Sequence, residues 1–329
     1  MRIAVTGSIA TDHLTTFPGR FSEHLLPDQL ATVSLSFLVD DLQVRRGGVA
    51  ANIAFGLGLL GVTPLLVGAV GIDFAEYGAW LSGHGVDISH VRVSEQSHTA
   101  RFICITDRDQ NQIAAFYPGA MTEARHISLA DITAGGGRPA LVVVAPDDPV
   151  AMQRHAFASR ELGIPYAADP SQQLASLDSE DARRLVDGAQ LLFSNEYEAA
   201  LLCDRTGWTR QQVLDRVGTW VTTRGAKGVT VAARGEALLT VPAVPSGKAV
   251  DPTGVGDGFR AGYLVGMSRG LTEERAAQLG CALATRVLET VGTQEYRLSD
   301  DLWARVADAY GADASVDIGR CVNAGGNRA

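Results

Sequence analysis

Short apolar runs alternate with longer segments of helical pattern along most of the chain. Runs such as Ile3–Thr6, Ala140–Ala145 and Leu191–Ser194 are apolar on both faces of a strand, and segments such as Pro149–Leu162 have helical spacing. Strands of this kind, alternating with helices, are typical of a parallel sheet covered by helices on both sides. The sequence therefore predicts an α/β fold. We see no internal repeat and no linker, so we expect one domain over residues 1–329.

Two regions depart from this pattern. Ser34–Val44 alternates as a strand does, and Arg101–Thr106 and Gln112–Phe116 flank the polar turn Asp107–Asn111. The two runs that flank this turn predict a β-hairpin. Hairpins inserted in a βα chain suggest a small antiparallel sheet that covers a site. The alternative is an extension at the edge of the main sheet.

Charge and cysteine usage exclude several classes of function. The 329 residues carry 28 basic and 37 acidic side chains, which gives a net charge of −9. This balance argues against a nucleic-acid groove or docking on anionic membranes. No apolar run reaches the ~18 residues of a membrane helix, and the N-terminus is unlike a signal peptide. The four cysteines lie far apart, so we expect unpaired thiols and a cytoplasmic location.

The segment Asp251-Pro252-Thr253-Gly254-Val255-Gly256-Asp257 carries the strongest signal, and a helical run follows it. Glycines let the backbone approach a ligand, and the N–H groups at a helix N-terminus attract anions. A carboxylate beside such a pocket suits phosphoryl transfer, in which Asp257 accepts the proton of an attacking hydroxyl. The alternative is an Asp cap with glycines for tight packing. The two Asp residues that bracket the glycines favour the functional interpretation.

Three further segments are weaker candidates. Asn195-Glu196-Tyr197-Glu198 follows a predicted strand, where Asn195 and Glu198 could orient magnesium through water or simply cap a helix. Thr222–Gly228 is a glycine-bearing turn that suits an adenine or phosphate contact, although in isolation a simple hairpin turn is the better interpretation. Arg46–Asn52, with Ser8 and Asp12, predicts a patch that binds hydroxyls; the alternative is a capped helix and a surface turn.

Two nucleotide-binding motifs are excluded. Gly56-Leu57-Gly58-Leu59-Leu60-Gly61 fits G-x-G-x-x-G, but it lies inside the helix predicted over Val49–Leu60 and not after a strand. The dinucleotide fingerprint needs that strand, so we interpret these glycines as close helix packing. No G-x-x-x-x-G-K-[ST] occurs in the sequence, which excludes a P-loop.

Taken together, the motifs resemble the ribokinase (PfkB) family of sugar and nucleoside kinases. The resemblance runs from Ile3 to about Thr293. It rests on Gly47-Gly48 with Asn52, on Val67–Asp73, on Asn195-x-x-Glu198 and on Asp251–Asp257. It implies a three-layer α/β/α sandwich with a small β-sheet lid, formed here by about residues 9–46 and 96–120.

Within the family, the chain most resembles the bacterial adenosine kinases, on stretches such as Thr6–Leu14 and Ala168–Leu174. The resemblance implies transfer of the γ-phosphoryl of ATP to the 5′-hydroxyl of adenosine, giving AMP in purine salvage. It assigns nucleoside binding to Ser8, Asp12, Ser36, Gly48, Asn52, Phe102, Phe116, Gln172, Gln173 and Asp257, with the two phenylalanines sandwiching the base. It assigns the ATP site to Asn195, Thr223, Gly225 and Gly228, the anion hole to Gly254, Val255 and Gly256, and the general base to Asp257.

The resemblance also implies Mg²⁺, held through Glu198 and Asn195, and a monovalent cation such as K⁺ near the Asp251–Asp257 loop. The chain departs from the common family pattern in this loop at Pro252 and Val255, which alter the surroundings of that cation. We expect a homodimer through the lid sheets, because exposed strand edges invite pairing. Two other functions stay open, a ribokinase-like kinase for a sugar or another nucleoside and a nucleoside-binding sensor without catalysis.

Overall fold

The computed structural model describes residues 1–25, 32 and 34–323. Most of the strands are short and strongly apolar. In the described part of the chain they are β1 (Ile3–Thr6), β2 (Ala10–Thr16), β3 (Asp41–Gly47), β4 (Leu65–Val70), β5 (Asp87–Val93), β6 (Ala100–Thr106), β7 (Gln112–Tyr117), β8 (Leu141–Val144), β9 (Tyr166–Ala168), β10 (Leu191–Asn195), β11 (Thr219–Thr223), β12 (Val229–Ala233) and β13 (Leu239–Val241).

Helices α1 to α7 alternate with the strands along the chain, and α8 to α11 follow the last strand. They are α1 (Val49–Leu59), α2 (Ala75–Gly83), α3 (Leu129–Ile132), α4 (Pro149–Glu161), α5 (Ser179–Val186), α6 (Glu196–Thr206), α7 (Arg210–Leu214), α8 (Val255–Ser268), α9 (Glu273–Leu288), α10 (Asp300–Tyr310) and α11 (Ala312–Asn323). Short 3₁₀ helices at Ser171–Ala175 and Gly225–Lys227 matter for the site described below.

Nine strands form the main sheet in the order β13-β12-β11-β10-β9-β8-β1-β4-β5. Pairing is parallel from β5 to β11, and β12 and β13 add an antiparallel edge. One face packs on α1, α8 and α9, and the other packs on α4, α5 and α6. The predicted α/β sandwich is confirmed, because strands that are apolar on both faces need helices on both sides.

A separate four-stranded sheet has the order β3-β2-β6-β7. The prediction of an antiparallel sheet is corrected: the sheet is mixed, because its two central strands, β2 and β6, pair in parallel. The predicted hairpin is confirmed as β6 and β7, which pair antiparallel with Phe102 opposite Phe116. The strand expected over Ser34–Val44 is corrected: the strand covers Asp41–Gly47, and residues 34–39 have no regular structure. Alternation over 34–40 misled the prediction because this part is largely exposed and forms no ladder. That this sheet acts as a mobile lid stays a prediction.

The glycines of the excluded G-x-G-x-x-G pattern lie within α1 and allow close packing. A Cβ on Gly56 would stand 2.6 Å from Cβ of Ala261 on α8, and a Cβ on Gly58 would stand 2.1 Å from the carbonyl oxygen of His84. Both distances are far below a van der Waals contact. The packing interpretation of this motif is therefore confirmed.

Two further sequence expectations concern the whole chain. In residues 1–25, 32 and 34–323, no helix combines the length and apolar character needed to cross a membrane. All four cysteines are unpaired, as their spacing predicts.

Gly58→Ala should destabilise the fold by about 1–3 kcal/mol, because the added methyl group forces α1 away from the carbonyl of His84. The measurement is urea denaturation at equilibrium. Gly83→Ala, at the end of α2, is the control, since nothing lies within 4 Å of its added Cβ. It should be neutral or stabilising by up to ~1 kcal/mol. Wild-type stability of Gly58→Ala would contradict the packing argument.

Candidate active site

A cavity of about 790 Å³ lies between the carboxyl ends of the main-sheet strands and the four-stranded sheet. Ligands of open α/β sheets bind at this edge, where loops follow the strands. The fold brings most of the predicted site residues into the lining of this one cavity. They are Ser8, Asp12, Gly48, Asn52, Phe102, Phe116, Gln172, Gln173, Asn195, Glu198, Thr223, Gly225, Gly254, Gly256 and Asp257.

Three predicted site residues are not among the lining residues. Ser36 is exposed in the irregular segment before β3. Gly228 is a packing residue with φ +88°, and a Cβ there would lie 2.0 Å from the carbonyl oxygen of Val241. Val255 packs against the core, and its amide donates a long hydrogen bond of 3.4 Å to the carbonyl of Pro252. In this structure Gly228 and Val255 pack against neighbouring segments, and none of the three residues lines the cavity.

Helix α8 begins at the floor of the cavity. Gly254 caps it with φ +73°, a left-handed conformation that favours glycine, and the amide of Gly258 bonds back to the Gly254 carbonyl. The amides of Gly256 and Asp257 have no acceptor among the described residues. Free N–H groups on the first turn of a 14-residue helix attract an anion. The amide of Gly254 likewise has no acceptor among the described residues, so two of the three residues predicted for the anion hole, Gly254 and Gly256, carry free N–H groups, and Asp257 adds a third.

Asp257 is buried at this helix start, with 9% of its surface exposed. Burial raises the pKa of its carboxyl to about 7, against the opposing effects of Arg260 and of a hydrogen bond from Asn52. The Asn52 Nδ2 atom donates this bond to Oδ2 over 2.8 Å. A carboxylate with a pKa near neutrality can accept a proton from a hydroxyl and release it again, which suits a general base.

Asn52 is held by a buried network on its other side. Its Oδ1 atom accepts hydrogen bonds of 2.9 Å each from Thr293 Oγ1 and Gln294 Nε2. Gln294 also donates to the hydroxyl of Tyr77, which donates to the carbonyl of Gly47. Sequence reasoning expected Asn52 to bind substrate hydroxyls, whereas the structure shows its amide orienting Asp257. It lines the cavity as well.

Ser8 and Gly48 form the start of α1. Ser8 Oγ accepts the amide of Val49 over 3.0 Å, and Gly48 has φ +92°. A Cβ on Gly48 would lie 2.6 Å from both the carbonyl oxygen of Ser8 and the amide nitrogen of Ala10. Glycine is required at position 48 because the backbone of residues 8–10 leaves no room for a side chain, even without a ligand.

Asp12 projects from β2 into the cavity. Burial raises the pKa of its carboxyl to about 6, with Arg45 acting against the shift. Arg45 Nη1 in turn lies 3.3 Å from Oδ2 of Asp251, so an ion pair joins β3 to the loop before α8. Asp12 therefore offers two carboxylate oxygens to a ligand, as recognition of vicinal hydroxyls requires.

Phe102 and Phe116 are direct cross-strand partners on β6 and β7 and line the same side of the cavity. Cβ atoms of such partners lie about 4.5–5.5 Å apart. A base inserted between two rings needs about 7 Å between the ring planes, twice a ~3.5 Å carbon contact. The implied sandwich therefore requires the rings to splay, whereas a single aromatic wall does not. Gln172 and Gln173 also line the cavity, from the 3₁₀ helix that follows β9.

Asn195 and Glu198 form a capping box at the start of α6. The Asn195 side chain accepts the amide of Glu198, and Glu198 Oε2 accepts the amide of Asn195, each over 2.8 Å. Ser171 donates a third hydrogen bond, of 3.2 Å, to Glu198 Oε1. The two residues cap α6, as the structural interpretation predicts, and they also line the cavity, as the functional interpretation requires.

Thr223 ends β11 and Gly225 follows it, and both line the same edge of the cavity. Gly225 has φ +56°, and nothing lies within 4 Å of where its Cβ would be. The segment is a turn between the antiparallel strands β11 and β12, so the hairpin alternative is correct for its backbone. Gly225 nevertheless lines the cavity, with free space beside its Cα for a ligand.

Arg260 is the residue that sequence reasoning missed. It lies one turn after Asp257 on α8, is 6% exposed, and lines the cavity. Its Nη2 donates to Oδ1 of the fully buried Asp169 over 2.6 Å. The three-residue spacing from Asp257 places both side chains on one helix face, which is the signal that could have found it.

The comparisons with known proteins agree with this fold. Residues 9–300 match the pfkB family of carbohydrate kinases, and the chain belongs to that family. It is 30% identical to the nucleoside kinase of Methanocaldococcus jannaschii over 298 residues, 89% of this chain and 92% of that protein. A nucleoside kinase from Burkholderia thailandensis, solved in complex with inosine, is 34% identical with a TM-score of 0.81, covering 94% of this chain and 98% of that one.

Asp257→Asn should raise stability at pH 8 by up to about 4 kcal/mol, because burial raises the pKa of the Asp257 carboxyl from 3.8 to about 7 and each tenfold change in proton affinity corresponds to ~1.4 kcal/mol. The folded state holds the proton more tightly than the unfolded chain, so wild-type stability falls as pH rises from about 4 to about 7. At pH 4 the variant and the wild type should differ little. Urea denaturation across this range is the measurement. Asp204→Asn, an exposed carboxylate on α6, should show no such trend.

Proposed function

We propose that the protein is an ATP-dependent nucleoside kinase that phosphorylates the 5′-hydroxyl of adenosine to give AMP, as in purine salvage. One observation carries the proposal. The buried carboxylate of Asp257 lies beside the free amides of Gly256 and Asp257, on the floor of a cavity that is large enough for a nucleoside and a triphosphate chain. The names of relatives support it, since several are nucleoside kinases and one of them was solved with ADP and inosine.

The reaction needs one base and one anion site. The 5′-oxygen attacks the γ-phosphorus of ATP, the new O–P bond forms, and the bond from that phosphorus to the β-bridging oxygen breaks. The hydroxyl proton moves to the carboxylate of Asp257, and ADP leaves with the bonding electron pair. The amides of Gly256 and Asp257 hold the charge of the phosphoryl group in transit.

The nucleoside occupies the end of the cavity under the small sheet. Asp12 accepts hydrogen bonds from the two ribose hydroxyls, near Ser8, Gly48 and Asn52. The base stacks on the wall of Phe102 and Phe116, since aromatic stacking contributes about 1–3 kcal/mol per base. Gln172 and Gln173 supply donors and acceptors for the base edge. Ser36 joins this site only if the segment before β3 closes over the nucleoside.

ATP occupies the other end, beside Asn195, Thr223 and Gly225. Among the described residues no cluster of three or more His, Cys, Asp or Glu forms a metal cage. Mg²⁺ in kinases instead uses one or two carboxylates, waters and phosphate oxygens, and Glu198 with Asn195 fits this role through water. When bound, Mg²⁺ neutralises charge on the phosphates.

A monovalent cation does not fit the loop before α8. Both oxygens of Asp251 already accept donors: the amide of Thr253 at 2.9 Å, the amide of Gly292 at 3.0 Å and the guanidinium of Arg45 at 3.3 Å. The guanidinium of Arg45 already supplies a positive charge beside this carboxylate. The proposed reaction therefore includes no K⁺.

The test is an ATP-consumption assay with Mg²⁺ and a panel of adenosine, inosine, guanosine, cytidine, ribose and fructose. Turnover with adenosine above the others supports the proposal, and preference for another nucleoside keeps the reaction but changes the base.

Asp257→Asn should lower kcat by about 10²–10⁴-fold while adenosine affinity, measured by calorimetry, changes little. Turnover with a sugar alone would favour a sugar kinase, and adenosine binding without turnover would favour a sensor.

We also propose a cytoplasmic homodimer formed through the outer face of the small sheet. Leu42, Val44, Ile103 and Ile113 lie on the face opposite Asp12 and Phe102, and each is between 41% and 60% exposed. His13 and Thr15 of β2 lie between these apolar residues on the same face. Exposed apolar side chains grouped in this way mark an interaction surface, and a second copy offers the same face.

Leu42→Glu combined with Ile113→Glu should convert the dimer to a monomer, because each carboxylate would be buried without a partner. Sedimentation velocity is the measurement. Val316→Glu, at an exposed apolar position on α11 far from this sheet in sequence, is the matched control and should stay dimeric. A wild-type protein that sediments as a monomer would refute the proposal.

A further inference from the structure

We infer that Arg260 is a second catalytic group, which presents a guanidinium N–H to the γ-phosphoryl group while it is transferred. The inference rests on the proposed kinase function and adds a residue that the anion-hole amides and Asp257 do not account for. Three observations carry it: how Arg260 is held, where its free nitrogen lies, and which charges surround the cavity.

An ion pair fixes the Arg260 side chain in the interior. Nη2 donates to Oδ1 of Asp169 over 2.6 Å, and Nε lies 2.5 Å from Oδ2 but is not aligned for a hydrogen bond. The two side chains are 7% and 0% exposed. A guanidinium held on one edge by a buried carboxylate has its remaining N–H groups directed away from that partner. The cost of burying both charges needs a reason beyond stability, since such pairs stabilise little.

The remaining nitrogen, Nη1, lies at the anion site. It is 2.7 Å from the point where a Cβ on Gly256 would stand, so the absence of a side chain at Gly256 is what admits it. Nη1 has no acceptor among the described residues. Unlike Nε, it is not among the side-chain nitrogens sealed from solvent, and Arg260 lines the cavity. An N–H donor thus faces the cavity beside the amides of Gly256 and Asp257.

The charges around the cavity require such a donor. Among the described residues that line it, Asp12, Glu198 and Asp257 carry carboxyl groups, and Arg260 is the one lysine or arginine. A triphosphate entering this site meets acidic side chains at both ends. One fixed cation next to the helix start lowers that repulsion where negative charge moves during transfer.

In the step, the 5′-oxygen forms its bond to the γ-phosphorus as the bond to the β-bridging oxygen breaks, and the proton moves to Asp257. Nη1 donates to a non-bridging oxygen of the phosphoryl group throughout and itself gains or loses no proton. ADP lacks the γ-phosphoryl group and so lacks this contact.

The experiment compares the wild type with the double variant Asp169→Asn/Arg260→Met, which removes both charges and leaves no unpaired buried carboxylate. Assays run from pH 7 to pH 9, because the charge of Arg260 lowers the pKa of Asp257 and the charge of Asp169 raises it. Comparing the variants at the plateau of kcat separates this effect from the loss of the donor. We expect kcat to fall by about 10²–10³-fold, as when an oxyanion donor is lost. Affinities for ADP and adenosine, by calorimetry, should stay within threefold. Asp169→Asn alone, which keeps the Arg260 guanidinium but weakens its anchor, should lose at least tenfold less kcat than the double variant.

Several outcomes would overturn the inference. A double variant with kcat within tenfold of Asp169→Asn would show that Arg260 does not act on the transferred group. If affinity for ADP or adenosine fell as far as kcat does in the double variant, the Arg260–Asp169 pair would only shape the site. If the double variant does not fold, Arg260→Lys decides, because one ammonium cannot both pair with Asp169 and face the cavity. It should lose at least tenfold in kcat with unchanged ADP affinity, and wild-type kcat would refute the role. A wild type without turnover on any nucleoside would refute the proposed function as well.

Discussion

The site depends on how closely α1 and α8 approach each other. Gly56 leaves no room for a Cβ against Ala261, and the hydrogen bond from Asn52 to Asp257 lies one turn earlier on the same two helices. A larger residue at Gly56 would therefore separate the amide from the carboxylate it orients. The contact between glycine and alanine in the interior thus sets the geometry of the Asn52–Asp257 hydrogen bond, although neither Gly56 nor Ala261 lines the cavity.

Much of the fold followed from the sequence because its central strands are buried on both faces. β1, β4, β8 and β10 are almost entirely buried and appear as short apolar runs. β2 and β5 did not appear in the predictions, since they are half-exposed and carry polar residues such as Asp12 and His90. A strand of this kind is defined by its cross-strand partners, and these are not adjacent in sequence.

The site divides in the same way. The loop to Asp257 could be predicted because glycines, a carboxylate and a helix start occur in one short segment. The role of Asn52 could not, because its partners Thr293 and Gln294 lie more than 240 positions along the chain. Arg260 within a helix ordinarily indicates a solvated face, and only its pairing with Asp169, 91 residues earlier, places it inside. Val255, Gly228 and Ser36 show the limit of assigning roles by motif, since a motif marks a segment and not the direction of each side chain.

The ion pair between Arg45 and Asp251 has a mechanical consequence. Arg45 belongs to the sheet that carries Asp12 and Phe102, and Asp251 belongs to the loop that leads into the anion site. Asp251 also accepts the amides of Thr253 and Gly292, so the loop is anchored around the same carboxylate. A displacement of the small sheet must therefore either stretch this contact or carry the loop with it. The position of Asp12 on the small sheet and the position of the N-terminus of α8 are therefore coupled through this ion pair.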